Sequence, residues 1–424
     1  MEAEIISVGD EIVQGMVVDT NAAFLSTLLA AHGIAATRHQ AVGDDLNAVA
    51  EAVAEAGERA RLVIVNGGIG PTVDDVTRQA VAKAAGETLR MDNEWLVVMQ
   101  AKFQLHGVAM PPTNEVQALI PENATRITNP TGTAAGFHMQ LNGAEVAVFP
   151  GVPAELMVMF RQEYLPGLLQ RFPVGRVLVT RRLQCFGTPE SLINEKIQHL
   201  MGMGKNPTVG LLATDGVISV KITAEADDET DALESIDAVK REVRELVGEC
   251  VFGEDDDELQ TAVARLLTER GLAVCTAESC TGGLIAQRLT EISGSSRYFL
   301  GGVVTYSNEA KISLLGVPAN LFGEVGAVSY EVAAAMAENA RKHFGADYAI
   351  SVTGIAGPTG GTREKPVGLI YIGIAGPGGT RTHQLRLSGD RAGIRDRTAK
   401  HALNFLLHSV RPQTRETQHD TATA

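Results

Sequence analysis

Ala277-Glu278-Ser279-Cys280-Thr281-Gly282-Gly283 follows Gly271-Leu272-Ala273-Val274-Cys275-Thr276, which reads as a short buried strand. It precedes Leu284-Ile285-Ala286-Gln287-Arg288-Leu289, which reads as a helix. A turn of small residues thus carries a hydroxyl and a thiol from the end of a strand to the start of a helix. Unpaired backbone N–H groups and the positive end of the helix dipole gather at such a point. A nucleophile placed there has donors beside it for an oxyanion. The plainer reading is that Ser279 or Thr281 caps the helix and that Gly282-Gly283 is a close contact with the sheet.

Outward from this turn, the same strand–turn–helix alternation runs along much of the chain. In the C-terminal third, Tyr298–Ser307 is apolar enough for a strand and leads into Thr305-Tyr306-Ser307-Asn308-Glu309-Ala310-Lys311. A helix over 329–344 and a strand over 347–352 precede Thr353-Gly354-Ile355-Ala356-Gly357-Pro358-Thr359-Gly360-Gly361. Adjacent strands at 366–376 and 381–388 are expected to pair. Ser388-Gly389-Asp390-Arg391-Ala392-Gly393-Ile394-Arg395 then opens a final helix to about Val410. A serine nucleophile needs a base, and none of these motifs holds a histidine. A lysine whose pKa is lowered by burial can serve instead, and Lys311 is the lysine a motif carries. Its plainer reading is a surface helix lysine. Cys280 is the rival nucleophile, because thiols at helix starts can be acidified, but it lacks a histidine partner.

In the N-terminal third, Glu4–Gly9, residues 35–42 and Arg61–Asn66 read as buried strands, and 45–60 as an amphipathic helix, which implies a parallel sheet covered on both faces. The first strand leads into Gly9-Asp10-Glu11-Ile12-Val13-Gln14-Gly15 and Asp19-Thr20-Asn21. The third leads into Gly67-Gly68-Ile69-Gly70-Pro71-Thr72-Val73-Asp74-Asp75-Val76-Thr77. Ligands of open α/β sheets bind at the carboxyl ends of strands, so this glycine loop, with Gly67, Gly68 and Gly70, lies where a phosphate or pyrophosphate would be held. Thr72 or Asp74 is a candidate cap for the following helix, and Asp74 and Asp75 are candidates to hold a divalent metal. Further turn-rich segments contain Asn114, Asn129-Pro130-Thr131-Gly132 and Pro150-Gly151-Val152-Pro153-Ala154-Glu155, and their density suggests one site built from several loops.

The 424 residues suit about two to four domains. Apolar residues make up 45% and aromatics 4%, enough for sizeable cores of the small-residue α/β kind. A net charge of −15 argues against general binding of nucleic acid, which needs a basic surface. The four cysteines, Cys185, Cys250, Cys275 and Cys280, have neither C-x-x-C nor zinc-site spacing and suggest a reducing compartment. With no signal peptide or membrane-length apolar run read, the expectation is a cytoplasmic protein with no membrane partner. Residues 171–253 read as a small α+β connector or dimerisation module, with Cys185 as a packing residue. Glu254-Asp255-Asp256-Asp257-Glu258 reads as a solvated acidic boundary.

The motifs Gly9–Gly15, Gly67–Thr77 and Pro150–Glu155 resemble the molybdopterin-binding fold and, more closely, the N-terminal domain of the CinA (competence/damage-inducible) family. Ala277–Gly283, Tyr306-Ser307-Asn308 with Lys311, Thr353–Gly361 and Gly389-Asp390-Arg391 resemble the CinA C-terminal domain, an amidase of nicotinamide mononucleotide (NMN). The resemblance implies an α/β chain of three parts: a three-layer molybdopterin-binding-like domain over 1–170, the small α+β module over 171–253, and an α/β/α amidase domain over 254–412. A flexible tail is expected over 413–424. It implies hydrolysis of NMN to nicotinate mononucleotide and ammonia without a cofactor. It also implies a second, ADP-ribose pyrophosphatase activity in the N-terminal domain that uses a divalent metal (Mg, Mn or Co). Ser279 would be the nucleophile and Lys311 its base, with Tyr306 and Thr353 assisting. Cys280, Thr281, Gly282, Gly283, Gly302, Gly354, Arg391 and Arg395 would bind substrate, one of the two arginines meeting its phosphate. The N-terminal nucleotide loop would comprise Gly67, Gly68, Gly70, Thr72, Asn114, Gly132, Pro150 and Gly151, with Asp10, Glu11, Asp74 and Asp75 near the metal. The expected partners are small nucleotides and a second copy of the chain. The rival expectation is a non-catalytic, nucleotide-responsive interaction protein of competence or DNA repair.

Overall fold

The computed structural model describes residues 2–173, 175–202 and 204–411, so the expected tail at 413–424 lies outside the described residues. The chain divides into two compact units, Met1–Thr180 with Ala224–Ser235, and Arg181–Thr223 with Ile236–Ala424.

The first unit contains β1 (Glu2–Val8), β2 (Ala35–Val42), β3 (Leu62–Asn66), the short pair β4 (Leu89–Met91) and β5 (Leu119–Pro121), β6 (Thr125–Ile127), β7 (Gly136–Leu141) and β8 (Ala144–Phe149). Six of these form a sheet ordered β2-β1-β3-β8-β7-β6. The first four are parallel, as the alternation of strands and helices requires, and β7 and β6 add an antiparallel edge. Every residue of β3 and β8 is buried, as expected for strands covered on both faces. Val49, Val53 and Val81 pack one face from the helices Leu46–Arg59 and Thr77–Ala85. Leu25, Leu29, Leu156 and Leu168 pack the other. Asp19 and Asp45 start their helices by accepting hydrogen bonds from Ala22 N (2.9 Å) and from Asn47 N and Ala48 N (2.9 and 2.8 Å). Ser7 aligns with Asn66, and Asn66 with Phe149, so the loops after β1, β3 and β8 emerge at one level.

The middle sheet has β9 (Val177–Phe186), β10 (Thr208–Thr214), β11 (Val217–Ala226) and β12 (Val251–Glu254) in the order β10-β11-β9-β12, accompanied by the helices Glu190–Ile197 and Glu229–Val247. The acidic run that follows is ion-paired as well as exposed. Glu254 meets Lys240 at 2.5 Å and Arg244 at 2.7 Å, Asp256 meets Arg182 at 2.6 Å, and Asp257 meets Arg265 at 2.9 Å. Cys185 is fully buried, as its packing role requires. Cys250 is buried as well, and its thiol donates to Val247 O at 3.4 Å.

The last sheet comprises β13 (Val274–Glu278), β14 (Phe299–Val304), β15 (Tyr348–Gly354), β16 (Leu369–Gly376) and β17 (Gly379–Arg386), ordered β14-β13-β15-β16-β17. β14, β13 and β15 are parallel, whereas β16 and β17 pair antiparallel, as the two adjacent apolar runs implied. Leu267, Ile285 and Leu403 cover one face, and Val332, Met336 and Ala340 the other. Glu278 aligns with both Val304 and Val352, so Ser279, Thr305 and Thr353 stand together at the carboxyl end of the sheet. Among the described residues no helix is long and apolar enough to cross a membrane.

Candidate active site

Lys311 Nζ donates to Ser279 Oγ at 3.1 Å and to the main-chain oxygens of Thr305 and Tyr306 at 2.8 and 3.5 Å. The helix Asn308–Leu315 that carries it starts at Ser307, whose hydroxyl accepts from Ala310 N at 3.1 Å. That start turns Lys311 inward, so it is 1% exposed and not a surface lysine. Burial lowers its pKa from the ordinary lysine value, since an ammonium without a carboxylate partner is costly inside a protein. A neutral amine has two N–H groups and one lone pair. Two carbonyls can take the N–H groups and leave the lone pair toward Ser279.

The helix Leu284–Glu291 is capped by neither Ser279 nor Thr281. The buried carboxylate of Glu278 accepts from Gly283 N (3.0 Å), Ile285 N (3.2 Å) and Ala286 N (2.9 Å). Gly282 N is spent on Ser279 O at 3.0 Å. The N–H groups of Cys280 and Thr281 donate to no other residue among those described, which narrows the expected oxyanion donors to these two. The Cys280 side chain sits in the hydrophobic core, and burial pushes its thiol up to about 12. A thiol held protonated is a poor nucleophile, and the side chain is turned away from a substrate-binding role.

Other candidates take different posts. The Tyr306 ring is 61% exposed and its hydroxyl accepts from Arg391 at 3.0 Å, so it is the Tyr306 carbonyl that touches Lys311. The Thr353 hydroxyl donates to Ala327 O at 2.8 Å, which commits its proton to a neighbouring loop. Arg395 Nη2 donates to Thr281 O at 2.6 Å and braces the nucleophile turn. Arg391 also donates to Gly357 O at 2.8 Å and stands exposed between Tyr306 and the Thr353–Gly361 loop. Gly302 pairs with Thr276 inside the strands, where an added Cβ would lie 2.1 Å from Thr276 Oγ1. Its glycine is a packing requirement. Gly354 likewise makes room for Ile370 and the Leu369 carbonyl.

In the first unit, the predicted loops do converge. Gly9, Glu11, Gly67, Gly68, Gly70, Asp74, Asp75, Pro150 and Gly151 all line a cavity of about 460 Å³. Gly67 has φ +99°, and a Cβ there would lie 2.1 Å from Val8 O, so only glycine fits that turn. Arg78, fully buried, donates to Ile69 O and, at 3.2 Å, to Gly70 O. The N–H groups of Gly68 and Ile69 make no hydrogen bond among the described residues. Asn114 acts at one remove, donating to Gln117 Oε1 (3.0 Å), which lines the cavity. Gly132 N donates to Asn129 Oδ1 at 2.7 Å, and a Cβ at Gly132 would collide with Glu155.

Neither Thr72 nor Asp74 caps the helix Thr77–Ala85, whose N-cap, Val76, has no side-chain bond. Asp75 binds the loop instead, accepting from Gly70 N (2.6 Å), Thr72 N (2.8 Å) and Thr72 Oγ1 (2.5 Å). Both its oxygens thus hold the loop. Asp10 N donates to Asp44 Oδ2 at 3.0 Å, and Asp44 N donates to Asp10 Oδ1 at 3.2 Å. Asp44, which no sequence motif marked, has its carboxyl raised by burial and by the charges of Asp10, Glu11 and Asp74. Such a cluster of hard oxygen donors suits a magnesium-type cation. That ion takes one or two carboxylates and completes its shell with phosphate and water. Among the described residues no three His, Cys, Asp or Glu side chains form a ready-made metal cage.

Comparison with known proteins gives three consecutive family matches. A probable molybdopterin binding domain matches residues 4–170, the damage-inducible protein CinA KH domain 180–253, and the CinA C-terminal domain 256–410. A CinA-like protein of Kosmotoga olearia is 40% identical over 412 residues, covering 97% of this chain and 100% of that protein. A CinA-like protein of Geotalea uraniireducens is 41% identical over 406 residues, covering 96% and 97%. The crystal structure of competence/damage inducible protein CihA from Agrobacterium tumefaciens is 45% identical and covers 35% of this chain and 92% of its own, with a TM-score of 0.35.

Proposed function

The chain belongs to the CinA family of competence/damage-inducible proteins, and from that premise we propose that its C-terminal domain is an amidohydrolase that converts NMN to nicotinate mononucleotide and ammonia. The observation that carries this reading is the buried Lys311 amine 3.1 Å from Ser279 Oγ. The neutral amine takes the Ser279 proton as Oγ attacks the carboxamide carbon. The carbonyl oxygen becomes an oxyanion beside the N–H groups of Cys280 and Thr281. The C–N bond breaks, and Lys311 returns its proton to the leaving nitrogen, which departs as ammonia. Water, deprotonated by Lys311, then attacks the ester, and nicotinate mononucleotide leaves as Ser279 regains its proton. Arg391 is the exposed guanidinium at this end of the sheet and is assigned to the substrate phosphate, while Arg395 braces the turn. The test is ammonia release from NMN by the full chain beside Ser279→Ala. The reading requires the wild type to release ammonia and the variant to lose it, and equal release by both refutes it.

The free N–H groups of Gly68 and Ile69 favour a second reading for the N-terminal domain: cleavage of ADP-ribose at its diphosphate. These donors receive phosphate oxygens. Asp44 and Asp74 are the residues that would hold a divalent ion, which would supply charge neutralisation at the bond to be broken. AMP formation by the full chain, abolished by EDTA and restored by added metal, tests this reading. A chain that binds ADP-ribose without forming AMP makes the domain a binding module.

A further inference from the structure

We propose that Glu278 is the positioning residue from which both members of the Ser279–Lys311 pair are hung. The inference rests on the amidase reading for its substrate but not for its geometry. Glu278 ends β13 and is fully buried. Its side chain fixes the turn that holds Ser279, through the three N–H bonds from Gly283, Ile285 and Ala286. Its main-chain oxygen fixes the lysine side, accepting from Thr305 N at 2.8 Å. Thr305 O in turn holds Lys311 Nζ at 2.8 Å. One residue therefore sets the position of the nucleophile through its carboxylate and of the base through its backbone.

The chemistry explains why this residue is a carboxylate. Three donors converge on two oxygens: Oε2 takes Gly283 N and Ile285 N, and Oε1 takes Ala286 N. A carboxylate offers acceptors at both atoms, whereas an amide offers one. Glutamine, the same size, would turn an NH₂ group against at least one of these N–H donors. Aspartate keeps the charge but is one methylene short of the helix. The carboxylate also satisfies the first N–H groups of the helix, leaving Cys280 N and Thr281 N as the open donors near Ser279.

The test reads the activation of Ser279 directly. The rate of covalent labelling of Ser279 by a fluorophosphonate probe is measured on the full chain, on Glu278→Gln and Glu278→Asp, and on Ser279→Ala as the blank. Ammonia release from NMN is measured in parallel. The expected result is labelling slowed by about tenfold or more in Glu278→Gln. The NMN kcat should fall to match, and KM should stay within about threefold. A cap that only stabilises the helix would lower Tm and leave the labelling rate of the folded protein unchanged, and that outcome overturns the proposal. If Glu278→Gln does not fold, Glu278→Asp takes its place under the same criterion. Wild-type labelling without NMN hydrolysis would end the NMN reading and leave this inference to stand or fall on the labelling rates. A wild type that neither labels nor turns over NMN overturns both.

Discussion

The loops at the carboxyl ends of the two large sheets are each built on a buried charge, and the charges have opposite sign. Under the Gly67–Gly70 loop, the Arg78 guanidinium gathers the carbonyls of Ile69 and Gly70, and burial pulls its pKa down to about 10. The loop's remaining N–H groups are left for an incoming anion. Under the Ser279 turn, the Glu278 carboxylate gathers N–H groups instead, and the reacting hydroxyl faces a buried amine. The C-terminal site thus holds its nucleophile and base already in contact. The N-terminal site is a cavity rimmed by the carboxylates of Glu11, Asp44, Asp74 and Asp75, which the proposed reading fills with a ligand and a cation. The difference teaches that, on the proposed readings, the first site works with its own side chains, whereas the second would call on an ion.

Five measurements break or sharpen this contrast. The largest effect is expected at Lys311: Lys311→Met should lower kcat/KM for ammonia release by about a thousandfold or more, because the base is gone. The pH profile carries the same test. Burial lowers the Lys311 pKa, so activity is present above that lowered value and is lost as pH falls through it. The wild-type kcat/KM should rise with pH and reach its plateau below the ordinary lysine pKa of about 10.4. A profile still climbing there contradicts a pre-lowered base.

The next effect is structural. Arg78→Met leaves one buried and one part-buried carbonyl unpaired and should cost about 1–3 kcal/mol in chemical denaturation of the full chain. Unchanged stability would mean that the loop does not hang on this cation. Smaller again is Asp75→Asn, which exchanges one of the acceptors holding Gly70 and Thr72 for a donor. Calorimetry should find inorganic pyrophosphate bound about tenfold more weakly, and unchanged affinity would free Asp75 from its loop-holding role. The smallest effect is Cys280→Ala, for which kcat should fall by less than about fivefold, since the thiol is protonated in the core. A loss approaching that of Ser279→Ala would make the cysteine the nucleophile after all.

The architecture was legible because alternation of buried runs and helices survives in composition and spacing alone. β3, with all five residues apolar or buried, and the paired β16 and β17 follow from it directly. The pairing of Ser279 with Lys311 was also within reach, since a serine without a histidine calls for another base. The supporting groups were not. The Thr353 hydroxyl is claimed by Ala327 and the Tyr306 hydroxyl by Arg391, 85 residues away. Local sequence does not encode such long-range partners. Glu278 lay in plain view in the quoted turn, but its cap runs backward from a strand end into the following helix, outside the usual N-cap position. Asp44 and Arg78 acquire their meaning only from burial and from charges that other segments bring near.

The central claim is covalent attack by Ser279 on the NMN carboxamide. Mass spectrometry of peptides from full chain quenched in acid during turnover of NMN tests it most directly. The account predicts a nicotinate mononucleotide ester on the peptide bearing Ser279, absent from Ser279→Ala together with ammonia release. Ammonia release that persists in Ser279→Ala, with no acyl adduct on the wild-type peptide, would contradict it.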